Sequence, residues 1–542
     1  MTLCFECKSD QDDTQLAVCV ELGHDIDTEN LFQATTKTKE NPVNKLIKFA
    51  ETQMTKVVLS QSDNSRVYAV VNVKNHFETI ELDKKNHKTI NWLMATSSES
   101  LRKIYSEENC ANAIGFLKAR ALLSEDITRE EIHLRMALVN DEIYYDLGRN
   151  DWKFVKITRS ETTLVDYSNN LPMFFRTSKI SLQVDPNFSY DGNPLDAFVE
   201  LSRISNPELF KVQLISMFIA GIPIPIMGLH GHAGASKSTT SSMTKRTIDP
   251  SGETNESNLK AFPHGEDNFV ISLSSSYFSG FENISHIDVD ISNMLCRAIT
   301  GGSFEKRAQY TNDEIFTVSL MRKILINGVD FTISHSDLAD RTIIYDLERI
   351  TDDQRKPDDF IEESFKKLLP DLLGCIFLTL QKALGLVDNV KKQTKKLPRM
   401  ASFGIIGEAI YQALGHKQGD FLILYNNSIK NNLEELFEHN PIIPCLEHVL
   451  GNEQELDLQA NDLYVRITNF AKSEGYNLKK IPQGSNGLYN WFTRSKTLFD
   501  GNNINVTRYS NKQSKEVSGF TPNATIYQIK RVLPAPKNGL EL

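Results

Sequence analysis

The sequence predicts an α/β protein built around a largely parallel sheet, with a mixed α+β region before it and a helical, then basic, region after it. Three observations carry this reading. From about residue 195 to 390, helical patterns alternate with short apolar runs, as they do when helical crossovers join parallel strands. Inside that stretch GLHGHAGASKSTTSS (residues 228–242) passes from an apolar run through a Gly/Ser loop into a helix start. From Lys472 to Lys537, eleven Lys or Arg stand against three acids, reversing the net charge of −10 of the whole chain.

A chain of 542 residues is too long for one core and suggests about three domains. The boundaries expected are a tail over 1–35, a mixed α+β region over 36–194, the α/β core over 195–395, a helical region over 396–470 and a basic region over 471–542. With 40% hydrophobic and 24% charged residues the composition is that of an ordinary globular protein. The acidic balance argues against a protein that coats nucleic acid with its whole surface, though not against a local basic face. The N-terminus lacks a basic start followed by an apolar core, and no run of about 18 apolar residues stands out, so a cytoplasmic protein without a membrane partner is expected. Seven scattered cysteines are expected as reduced thiols. Within the tail, Cys4, Cys7, Cys19 and His24 form C-x2-C-x11-C-x4-H, which has the ligand types of a zinc site but not the spacing of a knuckle.

Between residues 40 and 160, KVVLSQSDNSRVYAVVNVKNHFETIEL alternates apolar and polar residues between turn-forming clusters and predicts two or three strands. Two helices follow, around TINWLMATSSESLRKIYS and ENCANAIGFLKARALL. EIYYDLGRNDWKFVKI then reads as a hairpin turning at Gly148 to Asp151, with Tyr144, Trp152 and Phe154 as packing residues. Asn193-Pro194 marks a turn before a helix, and the domain boundary is expected there.

The loop at 228–242 nearly matches Gly-x-x-x-x-Gly-Lys-Ser/Thr, the phosphate-cradling pattern, with Ser236 in place of the second glycine. Its strand, loop, helix order is the context the pattern requires, because backbone N–H groups and a helix N-terminus must both face the phosphates. Prolines 223 and 225 cannot donate to a central ladder, so the strand should begin after Pro225. Gly231 and Gly234 keep the loop open. Lys237 is placed to reach the β and γ phosphates, Ser238 to offer its hydroxyl to Mg²⁺, and Thr239 follows in the first helical turn. A positive φ at Ser236 would cost roughly 1–2 kcal/mol, which several N–H bonds and a lysine can offset. His230 and His232 beside the loop lack a third ligand and are given no metal role.

A phosphate loop needs a carboxylate on a neighbouring strand, and SYFSGFENIS supplies Glu282 at the end of an apolar run. DVDISNMLCRAIT has helical spacing, Gly301-Gly302 make a turn, and Lys306, Arg307 and Tyr310 follow on a segment that could grip a nucleic-acid backbone. RKILINGVD is another apolar strand, ending in Asn327, which is suited to orienting a water or a γ-phosphate. DLADRTIIYDL places Arg341 before a further strand.

In this order GHAGASKST, SGFEN, TGGSFEKRAQYT, LINGVD and DLADR resemble the ATPase domain of superfamily 3 helicases of the AAA+ class, as found in phage, plasmid and integrated-element primase-helicase proteins. The resemblance covers roughly residues 195–410, with LPRMASFG near its end. It implies an AAA+-type P-loop core that uses ATP and Mg²⁺, and it places Gly231, Gly234, Ser236, Lys237, Ser238 and Thr239 around the nucleotide. It further implies Ser238 and Glu282 at the metal, Asn327 as first sensor, Arg341 as an arginine finger acting on a neighbouring subunit, and Lys306 and Arg307 on a loop facing DNA. Ser236, and Glu-Asn where many relatives have aspartate first, depart from the pattern and leave the metal and base roles undivided.

The C-terminal stretch reads as a helix followed by two strands and resembles a winged helix. Tyr489, Trp491 and Phe492 are expected in its core, with Arg494, Lys496, Arg508, Lys512 and Lys515 toward phosphates. The function expected is an ATP-driven, ring-forming DNA motor, a replicative helicase of a mobile element. A hexamer acting on single-stranded or forked DNA is implied, with a separate primase, since no primase active site is recognisable. The rival expectations are a nucleotide- and DNA-binding scaffold without turnover, an AAA+ loader or remodeller of protein partners, and, least, a small-molecule kinase.

Overall fold

The computed structural model describes residues 2–4, 9–11, 41–73, 76–168, 171–232, 234–252, 259–284, 287–307, 315–328, 333, 335–349, 355–438, 441–476, 478, 481–495, 499, 503–509, 520 and 524–532. The quartet of Cys4, Cys7, Cys19 and His24 lies outside the described side chains. The chain forms two compact units, one of residues 1–132 with 168–175, the other of 133–167 with 176–542.

The first unit contains the hairpin β1 (Thr2–Cys4) and β2 (Ser9–Gln11), then α1 (Pro42–Gln53), β3 (Met54–Ser60), β4 (Val67–Val73), β5 (His76–Glu81), α2 (His87–Leu101), α3 (Glu107–Leu123) and β6 (Arg129–Glu130). Asn41, Asn86 and Ser106 cap the three helices with side-chain oxygens, and Pro42 opens α1, where its missing N–H costs nothing. Strand order is β5-β4-β3-β6. The helices bury Leu46, Phe49, Ile90, Leu93, Ile114 and Leu117 with Val67, Ala69 and Val71 of β4.

The second unit opens with β7 (Met136–Val139), β8 (Glu142–Asp146), β9 (Lys153–Ile157) and β10 (Thr162–Asp166), an antiparallel meander. Tyr144, Trp152 and Phe154 are buried, and the expected hairpin is β8–β9. The meander precedes the boundary expected at Asn193-Pro194 and packs as part of the second unit. What ties the meander to the core is one buried guanidinium. Arg135, ahead of β7, is fully buried and donates to Asp249 Oδ1 at 3.0 Å and to the carbonyls of Asp146, Ser181 and Pro250.

The core of this unit runs α4 (Pro194–Ser202), α5 (Pro207–Ser216), β11 (Ile226–His230), α6 (Lys237–Ile248), β12 (Lys260–Ala261), α7 (Glu266–Ser274), β13 (Phe278–Glu282), α8 (Val289–Thr300), the hairpin β14 (Ser303–Arg307) and β15 (Ile315–Ser319), β16 (Lys323–Gly328), α9 (Ser336–Ala339) and β17 (Thr342–Asp346). The five-stranded sheet has the order β12-β13-β16-β11-β17, parallel throughout. The inner strands β13, β16 and β11 are buried along nearly their whole length, as parallel sheets require. As the prolines predict, β11 starts only at Ile226.

Asp249 caps the far end of α6 and is nearly fully buried. Its Oδ2 accepts Lys245 Nζ at 3.0 Å and the N–H groups of Tyr277 and Phe278 at 3.0 and 3.1 Å, where β13 begins. Burial pushes this carboxyl up, but Lys245, Arg135 and the backbone donors outweigh it and hold it below the ordinary range. One carboxylate therefore fixes α6, β13 and the meander together.

Beyond the sheet come α10 (Asp358–Gln393), α11 (Ala401–Ala413), α12 (Asp420–Glu438), α13 (Ile442–Leu450), β18 (Glu455–Gln459), α14 (Ala460–Ser473), α15 (Leu488–Arg494), β19 (Ile504–Tyr509) and β20 (Ile526–Arg531). By length and composition α10 is apolar enough to cross a membrane, but 61% of that window is buried inside the protein, among Phe365, Leu372, Ile376 and Phe377. The boundary expected at 470/471 falls inside one core, in which Cys445 and Leu446 of α13 and Leu463 and Ile467 of α14 pack with Leu488, Phe492 and Ile529. The sheet there has three strands, β18-β20-β19, one more than expected. Phe492 is buried and Trp491 packs against this core. Tyr489 is not in it: the ring is 48% exposed, with the Arg508 guanidinium 4.9 Å from its centroid.

Replacing Asp249 by Asn leaves Arg135 and Lys245 buried without their counter-charge, so unfolding stability in urea is expected to fall by about 3–5 kcal/mol. Because the folded carboxyl titrates below its unfolded value of about 3.9, its contribution is complete above that pH and is lost as pH falls further. The variant's acid unfolding curve should accordingly lose part of its dependence on pH below about 4.

Candidate nucleotide site

The loop after β11 is built by backbone geometry. A Cβ at Gly231 would meet the Leu347 carbonyl at 2.8 Å, so no larger residue fits, and Gly234 sits at φ +83°. Ser236 adopts φ 55°, ψ 27°, the left-handed conformation that its substitution for glycine anticipates, at a cost of roughly 1–2 kcal/mol. The Ser236 side chain makes no cap to α6, and no acid occupies the first turn of that helix. The first N–H groups and the positive end of the helix dipole thus face the loop. Lys237 is buried, its Nζ donating to the carbonyls of Gly231 at 2.6 Å and His232 at 2.8 Å. Ser238 is exposed and Thr239 half-buried.

Two contacts here escape sequence reasoning. His230 Nδ1 lies 2.9 Å from Asp346 Oδ1, tying the end of β11 to the end of β17. Arg355 brings its Nη2 to 3.6 Å from the Cβ position of Gly234, putting a second cation against the loop. Neither Asp346 nor Arg355 belongs to a local pattern; the pairing of β11 with β17 sets Asp346 level with His230.

Glu282 ends β13 at the same edge of the sheet as the loop. In register, Phe281 lies level with Ile326, and Leu229 with Asn327, so Glu282, Asn327 and the end of β11 share one level. With β16 between them, β13 and β11 stand roughly 10 Å apart. Asn327 is buried and engaged at both ends of its carboxamide: Oδ1 accepts Asn283 N–H at 3.1 Å, and Nδ2 donates to Ser241 Oγ at 2.8 Å. Ser241 is one helical turn beyond Lys237. The expected sensor therefore braces α6 against β13, linking the lysine side of the site to the carboxylate side.

Arg341 occupies the opposite edge. It precedes β17, whose first residue pairs with Ile226 at the start of β11, and its carbonyl accepts the Ile226 N–H. A strand of five residues, roughly 15 Å, separates it from the loop that follows His230. The Arg341 side chain donates to the Asp337 carbonyl at 2.9 Å, pairs with the Asp337 carboxylate and lies 4.0 Å from Cys296 Sγ. Burial, with Asp337 alongside, pushes the Cys296 thiol up to about 12. A cleft of about 1170 Å³ runs along α8 from Glu282 and Asn283 to Asp337 and Arg341. Lys237 is not in its walls, so this cleft is distinct from the loop.

Lys306 and Arg307 lie on the β14–β15 hairpin, paired with Phe316 and Ile315; their side chains, with that of Arg494, are outside the described set, as are Tyr310, Lys496, Lys512 and Lys515. Arg508 is exposed on β19.

The strand, glycine loop and helix, with a carboxylate at the same sheet edge, define a P-loop-like α/β core. Over residues 195–425 the chain matches the family model of the actinomycete integrative conjugative element replication protein, and it is similar to that family across this core. No curated protein matches the chain. Among solved structures, one described as the active helicase SCCmec type IV Cch overlaps 77% of this chain and 86% of its own at 12% identity and a TM-score of 0.39. The apo C-terminal region of NrS-1 overlaps 91% of this chain and 100% of its own at 12% identity and a TM-score of 0.37.

Replacing Ser236 by glycine removes the left-handed strain, and thermal or chemical denaturation should show a gain of up to about 1 kcal/mol after glycine's greater unfolded-state entropy is set against it.

Proposed function

We propose that this chain is an ATP-driven DNA motor of mobile-element replication, of the AAA+ superfamily 3 helicase type. The observation that carries the reading is that the glycine loop with Lys237 and Ser238, ahead of a helix whose N-cap Ser236 makes no side-chain cap, lies at the same edge of a parallel sheet as Glu282 at the end of β13. The match to a replication-protein family over the same residues supports it. Lys237 would neutralise the β and γ phosphates, Ser238 and Glu282 would hold Mg²⁺, and Glu282 would also polarise the attacking water. When bound, the metal would offset charge on the phosphoryl oxygens.

Arg341, one strand length from its own loop, would serve the nucleotide of an adjacent subunit. That placement supports a ring, for which six subunits are proposed. The hairpin carrying Lys306 and Arg307 would meet DNA in the channel. The C-terminal order helix, strand, helix, helix, strand, strand, with its last strand in the middle of the sheet, supports the winged-helix reading. Tyr489 and Arg508 on its surface would meet the nucleic-acid backbone. A separate chain would supply priming.

A second reading, a nucleotide- and DNA-binding scaffold without turnover, draws on Asn327, whose carboxamide is engaged at both ends. ATPase turnover with no DNA, single-stranded DNA and duplex DNA separates the two, with native mass measured in the presence of nucleotide. The motor reading expects DNA-stimulated turnover that falls by at least about 100-fold in Lys237→Ala, while turnover absent from the parent chain would leave the scaffold. The Lys306→Ala, Arg307→Ala double variant should lose stimulation by single-stranded DNA and keep its basal rate.

A further inference from the structure

The LPRM turn ahead of α11 has no part in the site as described, yet it reaches Arg341 through a chain of ion pairs. Arg399 Nη1 donates to Asp340 Oδ2 at 2.7 Å and Nη2 pairs with Asp337 Oδ1. The same Asp337 oxygen pairs with Arg341. Asp337 lies in α9 and Asp340 caps its end in helical conformation, three residues on, so both face one side, and the fork of Arg399 spans them. The turn that presents Arg399 is held closely: a Cβ at Gly404 would meet Pro398 Cγ at 2.6 Å, so the first turn of α11 can approach Pro398 only as glycine. From the other flank, Asn432 of α12 donates to the carbonyl of Thr342, next to Arg341, at 2.7 Å. Partial burial pushes the Asp337 carboxyl up, while Arg341 and Arg399 pull it below its usual range, so the carboxylate shared by the two arginines stays charged at neutral pH.

We propose that Arg399 is a positioning residue for Arg341: by clamping Asp337 and Asp340 it fixes the carboxylate that orients the Arg341 guanidinium, and it links the helices after the sheet to the edge that faces a neighbouring subunit. This rests on the reading of Arg341 as a residue acting across a subunit interface. Lysine cannot replace it, since a point charge on a flexible stem does not bridge two carboxylates as a planar fork does.

The test compares the full-length chain with Arg399→Ala, Arg399→Lys, Arg341→Ala and the double variant Arg341→Ala/Arg399→Ala in ATPase assays, with nucleotide binding measured separately. Arg399→Ala and Arg399→Lys are expected to lower kcat at least ~10-fold, as misplacement of a charge-stabilising group does, with KM for ATP and analogue affinity unchanged. Adding Arg399→Ala to Arg341→Ala should lower kcat no further. Each single variant is then mixed with Lys237→Ala subunits, which keep Arg341 but cannot use ATP. A gain above the sum of the separate rates is expected for both mixtures, because the Lys237→Ala subunit lends its arginine across the interface. Wild-type kcat in Arg399→Ala, or a multiplicative further loss in the double variant, overturns the proposal. So does a gain with Arg341→Ala but none with Arg399→Ala. If neither mixture gains, action across the interface fails for Arg341 itself, and the double variant alone then decides the positioning role.

Discussion

The buried carboxylate of Asp249 is the constraint on which the rest of the core depends. Two cations without water around them, Arg135 and Lys245, would be costly unless paired, and this one side chain pairs both while accepting two backbone N–H groups at the start of β13. Lys237 stands at the other end of the helix that Asp249 closes, and Glu282 at the other end of the strand that it starts. The separation of lysine and carboxylate is thus set by two rigid elements anchored at a common point, with Asn327 bracing the open end through Ser241 and Asn283. Arg135 extends the same anchor to the meander, which is why these strands belong to the core unit although they precede the expected boundary by some distance in sequence.

The loop tolerates a residue that its pattern disfavours because the strain is local and the surrounding geometry is not negotiable. Gly231 is forced by the Leu347 carbonyl, whereas the Ser236 position requires only a positive φ, which a serine can take at modest cost. The left-handed turn at Ser236 also keeps its hydroxyl from capping α6. A helix start without its own cap is a better acceptor of an external anion than one already satisfied.

Charge on the opposite edge is organised differently. Arg341, Asp337, Asp340 and Arg399 form a surface network in which two guanidiniums share one carboxylate. Each pair alone, part-exposed, would contribute little to stability; their value lies in orientation. The network joins α9 to the turn before α11 and so connects the helical region after the sheet to the edge bearing Arg341.

Local pattern was enough for the elements whose signal is periodicity or backbone chemistry. The start of β11 after Pro225, the left-handed Ser236, the helix over Val289–Thr300 and the acid closing β13 were all legible, because proline, glycine spacing and apolar repeats act over a few residues. Tyr489 was misplaced because a helix of seven residues offers too short a repeat to tell a buried ring from one that lies under Arg508. The unit boundary, the bracing of Asn327, the approach of Arg355 to Gly234 and the sharing of Asp337 came from the fold alone. Each depends on which strands lie side by side and which buried charges must meet, and such pairings between distant residues leave no mark in the sequence near either partner.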